Sequence, residues 1–557
     1  MKTEKRKLIL IFLLFFLTIN EINTFKCGAD KLKIKPKHLN ITQESEKRRL
    51  ASSYTPIKIG VDFTSFSRPS SLSNNDFQRA KNLITETMNE FKKFLYIEHN
   101  DINLDRNDIQ EVMSECEVDR VSNDYRNFLI DNDLVVFPSF DSSLGSSVLA
   151  AAGVCITVGN TRPRAIFGIL YINPELSFNS KNTDLYMKNL LLHEVTHILV
   201  FNPGLFKKLN MVNNSGSQII SPKALLKAKQ HFNCGTLSGI PLENQGGQGS
   251  VGSHWEARYM LGDYMISTDY IDSVISDITL ALFEDTGYYK VNYYSGGLFK
   301  YGKNKGCNFI NEKCIKNGEP ISNEFCTKSG QKMCSSSIAN KAYCAIYDYT
   351  YSSVNIPSNY QYFNNPNYGG FQPANFCPVP NVQTDESDYY PSSCKVGTSD
   401  LDTDYGQSIG DASFCFISSL LPRDSKLNAI EQAICYEVQC DDYNKKIIVY
   451  IGSLTVTCPT SGGYVSDPSG FKGRIYCPKY IDICDSKDNN LCNEMFDCLS
   501  KGVETDYDSY EFDSDDENFN RIKTNSNNNN DNVYTISSFI KIDVIIIFFF
   551  MLLTVFL

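Results

Sequence analysis

Apolar and polar positions along this 557-residue chain fall into runs of different period. Ile57-Lys58-Ile59-Gly60-Val61-Asp62-Phe63 alternates and predicts a strand. Residues 133–138 and 166–172 are short, nearly unbroken apolar runs, the pattern of buried strands. Residues 76–96 and 184–200 carry helical spacing, and Asn202-Pro203-Gly204 stops the second helix. Further helices are predicted over residues 221–231 and 269–283, with Gly287 marking the end of the latter. This mixture predicts an α+β domain with a sheet in front of the 184–200 helix.

From Cys307 to Cys498 the texture changes. Fifteen of the nineteen cysteines lie there, among many tyrosines, prolines and asparagines, with few long periodic runs. A disulfide-rich, mainly β and loop domain is predicted, and with it an oxidising compartment. The length also calls for more than one domain, because single cores stop growing near ~250–300 residues.

The ends carry targeting patterns. A basic start and an apolar run at residues 8–19 read as a signal peptide over residues 1–23. Residues 24–50 contain Cys27 and Lys47-Arg48-Arg49 and read as a short propeptide with a dibasic cleavage site. Residues 51–300 then form the mixed α+β region and 301–500 the cysteine-rich domain. From Glu504 to Glu517 eight of fourteen residues are acidic, a solvated stalk over 501–535. Residues 536–557 end in a fourteen-residue run, thirteen of them apolar, behind an Asn/Ser tract, which fits a GPI-anchor signal or a membrane anchor. The formal charge of −11, with no basic stripe, excludes nucleic acid as the partner class. Asn40-Ile41-Thr42 and Asn213-Asn214-Ser215 have the form of glycan acceptor sites.

The candidate chemistry sits inside the 184–200 helix. His193-Glu194-Val195-Thr196-His197 uses two of only six histidines. Four residues apart on a helix, both imidazoles leave one face and can hold one zinc ion. Glu194 beside them can take a proton from a water held there. A third ligand is needed. No Asp or Glu occurs between Val195 and Leu242, and position 203 is a proline, so the candidates are His231 and His254.

At these residues the chain resembles the leishmanolysin family of metzincin surface metalloproteases. The resemblance lies in His231-Phe232-Asn233-Cys234, in Glu243-Asn244-Gln245-Gly246-Gly247-Gln248-Gly249-Ser250 and in Ser253-His254-Trp255-Glu256. Thr161-Arg162-Pro163, Leu282-Phe283-Glu284-Asp285-Thr286-Gly287-Tyr288-Tyr289 and Cys477-Pro478-Lys479-Tyr480-Ile481-Asp482-Ile483-Cys484 add to it. It implies a metzincin-like zinc protease domain with a long insertion between the second and third ligands. It makes His254, not His231, the third ligand, and Met265 the structural methionine of the turn under the metal. The family has glycine three residues after the second histidine, whereas this chain has Val200. A left-handed β-branched residue would cost of order 1–2 kcal/mol, so the helix is expected to end differently or to turn at Asn202.

The implied function is a cell-surface or secreted zinc metalloendopeptidase with one zinc, acting on protein or peptide substrates, with Glu194 as general base. The alternative is a surface adhesion or coat protein that keeps the fold with little activity. Cysteine parity adds a constraint. With Cys27 set aside, three cysteines precede residue 300 and fifteen follow, so if all eighteen pair within the chain at least one disulfide crosses. Cys116–Cys155 and a crossing Cys234–Cys307 are expected, the latter in line with the family's crossing cysteine. Cys27 is then odd. A thiolate is a good zinc ligand, Lys26 favours it, and the family uses a propeptide cysteine to silence its zymogen.

Overall fold

The computed structural model describes residues 36–39, 54–98, 104–122, 131–145, 148–159, 162–178, 184–245, 250–268, 273–297, 299–382, 392–395 and 405–484. Cys27, Arg48, Arg49, Asn40, Thr161, residues 246–249, the acidic tract and the C-terminal apolar tail lie outside them. Among the described residues no helix is long and apolar enough to cross a membrane.

In chain order come β1 (Lys37–His38), β2 (Tyr54–Pro56), β3 (Ile59–Val61), helix α1 (Asn74–Glu90), β4 (Leu95–Glu98), α2 (Arg106–Glu115), β5 (Leu134–Phe140), β6 (Ala150–Val158), β7 (Arg164–Ile172) and α3 (Asp184–Leu199). Five of the strands make one sheet in the order β1-β6-β7-β5-β3. β3 and β7 flank β5 in parallel, and β6 runs antiparallel to β7. Helix α3 packs on β6 and β7, and α2 covers cluster residues of the same strands, including Ile156 and Ile169. A sheet covered on both faces needs apolar residues throughout, which is why β5 and β7 read as runs rather than alternations. Contact between sheet and α3 is close at Gly168, where a Cβ would stand 2.7 Å from two Ile198 carbons.

Two predicted helices are corrected. The 76–96 helix stops at Glu90, continues as a 3₁₀ turn over Phe91–Lys93, and gives way to β4. β4 pairs with β2 on one side and with β10 (Tyr289–Val291) on the other. Phe91, Phe94 and Leu95 are fully buried there, so sheet pairing and burial override helical spacing. The 269–283 helix begins only at Asp277 and runs to Asp285. Ser276 caps it, its hydroxyl accepting from the Thr279 N–H at 3.2 Å, while Val274 pairs with the 262–264 segment. Gly287 does follow its end, in the left-handed region at φ +80°.

The large apolar core continues without a break from Ile57 through Phe299, Phe309 and Phe325 to Val379. A second core, from Phe414 to Cys484, lies in a six-stranded antiparallel sheet. Eight disulfides join the sixteen cysteines from Cys116 to Cys484. Cys116–Cys155 and Cys234–Cys307 are among them, as expected. The Cys234–Cys307 bond spans 73 residues. Chain entropy gives such a loop about 4 kcal/mol, so Cys234→Ser with Cys307→Ser should lower the urea midpoint by a corresponding amount. An unchanged midpoint would show that the packing of Phe232 on Phe309 alone holds this junction.

Candidate metal centre

From Leu191 onward α3 is apolar nearly all round because that half is buried all round, while Asp184 and Lys188 keep its first half at the surface. Leu191, Leu192, Val195, Ile198 and Leu199 are at most 2 % exposed, and Glu194 and Thr196 are fully covered. Its C-terminal end explains Val200. The N–H groups of Val200 and Phe201 both donate to Thr196 O, at 2.9 and 3.0 Å, and Asn202 N–H donates to Val200 O at 2.8 Å. No residue from Asp184 to Leu209 has a positive φ. Val200 is fully buried without left-handed strain, so the penalty anticipated from sequence does not arise. The chain turns at Asn202, whose side chain accepts from Gly204 and Leu205 N–H and caps α4 (Pro203–Lys208).

After α4 the chain forms the short pair β8 (Gln218–Ile219) and β9 (Ile240–Pro241) around α5 (Pro222–Phe232). It then brings His254 back beside the motif helix. His254 O accepts from Glu243 N–H and Trp255 N–H donates to Met265 O, both at 2.9 Å. The turn at Asp263–Met265 is held by a buried network. Trp255 Nε1–H donates to Thr279 Oγ1, and that hydroxyl donates to Asp263 Oδ2 at 2.7 Å. Asp263 Oδ1 accepts from Met265 N–H at 2.8 Å. Burial pushes the Asp263 carboxyl up to about 6, against the pull of these donors.

Three imidazoles meet over this turn. His193 Nε2 lies 3.1 Å from His197 Nε2 and 3.2 Å from His254 Nε2. Among the described residues, His193, His197 and His254 are the His, Cys, Asp or Glu cluster able to hold a metal ion. The other ring nitrogens settle the tautomers. His193 Nδ1 is 2.7 Å from Tyr264 O, His197 Nδ1 2.8 Å from Phe201 O, and His254 Nδ1 3.1 Å from Ser250 O. A carbonyl only accepts, so His193 and His197 carry the proton on Nδ1. His254 Nδ1 also meets Ser253 Oγ at 3.0 Å, and because that hydroxyl donates to Ser250 O at 3.4 Å the proton is on Nδ1 there too, leaving each Nε2 a lone pair. The His193 lone pair faces the other two at 3.1 and 3.2 Å, and all three ligand atoms lie within 4.8 Å of one another, an arrangement that repels unless a cation lies among them. Tetrahedral zinc with nitrogens at 2.0–2.1 Å requires nitrogen–nitrogen distances of about 3.3 Å, so the donor set fits that ion. The carbonyls of Tyr264, Phe201 and Ser250 are the outer partners that orient such ligands. No sequence pattern announced them, because a backbone carbonyl carries no side-chain signature.

Burial lowers His193 to about 4, His254 to about 3, and His197 well below its ordinary value. All three therefore stay neutral in the fold while the unfolded chain takes up protons near pH 6.5. Stability of the metal-stripped protein is thus full above about 6.5 and lost as pH falls toward 4. These three groups set a slope of up to about 4 kcal/mol per pH unit. Urea midpoints of chelator-treated protein at pH 7 and pH 5 measure this; equal midpoints would contradict it.

His231 stands apart. Its Nε2 donates to Tyr301 O at 2.8 Å, and its ring stacks on Phe299 at 4.7 Å. Met265 is fully buried, and its backbone joins the turn to Trp255. Two segments singled out in the sequence meet each other: Tyr288 Oη donates to Pro163 O at 2.8 Å, and Arg162 fills the space a Cβ on Gly287 would need. Glu194 is on α3, one residue from His193, with no exposure.

Comparison with known proteins gives the same direction. A family model described as leishmanolysin, peptidase M8, matches residues 98–490. A leishmanolysin homolog of Crithidia fasciculata is 27% identical over 436 residues, covering 72% of this chain and 64% of that protein. Leishmanolysin of Leishmania tropica is 27% identical over 358 residues, 60% of this chain and 52% of its own length. A leishmanolysin-like peptidase of Caenorhabditis briggsae is 29% identical over 313 residues, 48% and 46%. The chain thus spans about half to two thirds of the length of these relatives.

Proposed function

This chain belongs to the leishmanolysin family, and from that premise we propose that it is a zinc metalloendopeptidase. The observation that carries the proposal is the convergence of three neutral Nε2 lone pairs whose Nδ1 protons are committed to backbone carbonyls. His193, His197 and His254 would hold one zinc ion in a metzincin-like site. Bound there, the ion supplies Lewis acidity, making a water acidic near neutral pH and polarising the scissile carbonyl. Glu194 takes the proton from the attacking water and later delivers it to the leaving amine. Tyr264, Phe201 and Ser250 keep the three rings in the ligating tautomer. The turn around Met265 carries the first of these carbonyls.

The domain reading goes with this function: a leader over 1–23, a propeptide over 24–50, a catalytic region over 51–300 and a cysteine-rich domain over 301–500. A stalk over 501–535 and a tail over 536–557 would place the enzyme at the cell surface. The disulfides support an extracellular or secreted setting. Cys27 is proposed as the thiol that blocks the metal in the precursor. The adhesion alternative loses one support, since Val200 no longer implies a distorted site.

Casein digestion by the purified ectodomain tests the reading. Digestion should stop with a chelator and return when zinc is added back. Digestion that ignores the chelator, or none from correctly folded and zinc-loaded protein, would sink it.

A further inference from the structure

We propose that the outer edge of β6 and the apolar face of α2 form a docking groove for a short extended segment. In this chain the occupant is its own residues 36–39, held only while the backbone is continuous through residues 40–53. β1 adds to the sheet in parallel, Lys37 opposite Ile156 and His38 opposite Thr157. Leu39 N–H donates to Thr157 O at 3.0 Å. The Lys37 ammonium pairs with Glu111 on α2. Leu39 is 5 % exposed and lies in one cluster with Ile109 and Val112 of α2 and Ile156 and Val158 of β6. Pairing, an aliphatic anchor and a cation two residues before it define the occupant as Lys-x-Leu in extended form. This is strand addition to a sheet edge, with backbone bonds for attachment and side-chain pockets for selectivity.

The contact is small. β6 has nine residues and β1 pairs with two of them. Separate chains need about 1,200–2,000 Å² for a stable interface, which two paired residues and one leucine do not approach. Within one chain the segment is presented at an effective concentration of the order of millimolar, which sustains such a contact. Cutting after Arg49 removes that advantage. The segment should then leave, opening the β6 edge and the Leu39 pocket.

Amide hydrogen exchange on the intact chain tests the docking. The Leu39 amide should exchange at least about tenfold more slowly than in an unstructured peptide. Leu39→Asp should abolish that protection. Lys37→Glu should weaken it, and Lys37→Glu with Glu111→Lys should restore it, which a merely unfolded variant could not do. Random-coil exchange at Leu39 in the parent, or no recovery in the charge swap, would overturn the docking. Cleavage after Arg49 in a Cys27→Ser chain, whose fragment has no thiol to hold the metal, followed by size exclusion at micromolar concentration tests the tether. The N-terminal fragment should separate, and co-elution with the body would overturn the dependence on continuity. Only this second arm rests on reading residues 24–50 as a removable segment.

Discussion

Glu194→Gln should retain the parent's zinc content and lose activity on casein by a factor of ~10²–10⁴, the range a positioned general base contributes. The loss should fall on kcat, with KM little changed, because the proton transfer belongs to the transition state. The substitution keeps the volume of a fully buried side chain, so the fold should survive; Glu194→Ala leaves a cavity and serves as the harsher control. Zinc content by atomic emission and a peptide-hydrolysis assay decide the matter together. A Gln variant with full zinc and activity within a few-fold of the parent would remove Glu194 as the base. A variant that lost its zinc would instead assign Glu194 to holding the site together.

His254→Ala and His231→Ala should part company over the metal. Removing His254 deletes one of three converging donors, so zinc affinity should fall by more than the ~10–100-fold that an outer partner costs. Removing His231 deletes a hydrogen bond to Tyr301 and a stack on Phe299, both away from the cluster. That variant should keep its zinc and lose stability by about 1–3 kcal/mol for an unpaired buried carbonyl. Equal zinc content in the two purified variants would show that His254 is not the third ligand. The comparison is informative because burial lowers both rings, His231 to about 4 and His254 to about 3, so a depressed histidine does not by itself mark a ligand.

Where sequence reading failed, the cause was tertiary. β6 begins Ala150-Ala151-Ala152-Gly153, residues with no preference for strands, and takes its form from pairing with β7 beneath α3. Residues 91–96 carry helical spacing, yet the chain tightens into a 3₁₀ turn at Phe91–Lys93 and two neighbouring strands claim it from Leu95 on. The 277–285 helix was expected eight residues too early, because nothing local signals that Val274 pairs with the 262–264 segment. Val200 looked strained only under the assumption that its position needs a left-handed residue; two N–H groups sharing Thr196 O close the helix at ordinary angles.

What the sequence determined by itself was the local and the countable. His193 and His197 must share a helix face at that spacing, and, with Cys27 set aside and the other eighteen cysteines paired within the chain, the odd counts on either side of residue 300 demand a crossing disulfide. The elimination of carboxylates left only His231 and His254 as further histidine ligands, with a family resemblance to choose between them. The tertiary structure decided which histidine arrives, because His254 is delivered by pairing of the 242–243, 254–255 and 263–266 segments, contacts that no local period encodes. It also decided the state of each ring, since Tyr264, Phe201 and Ser250 offer carbonyls, and a carbonyl's direction is a property of the folded backbone alone.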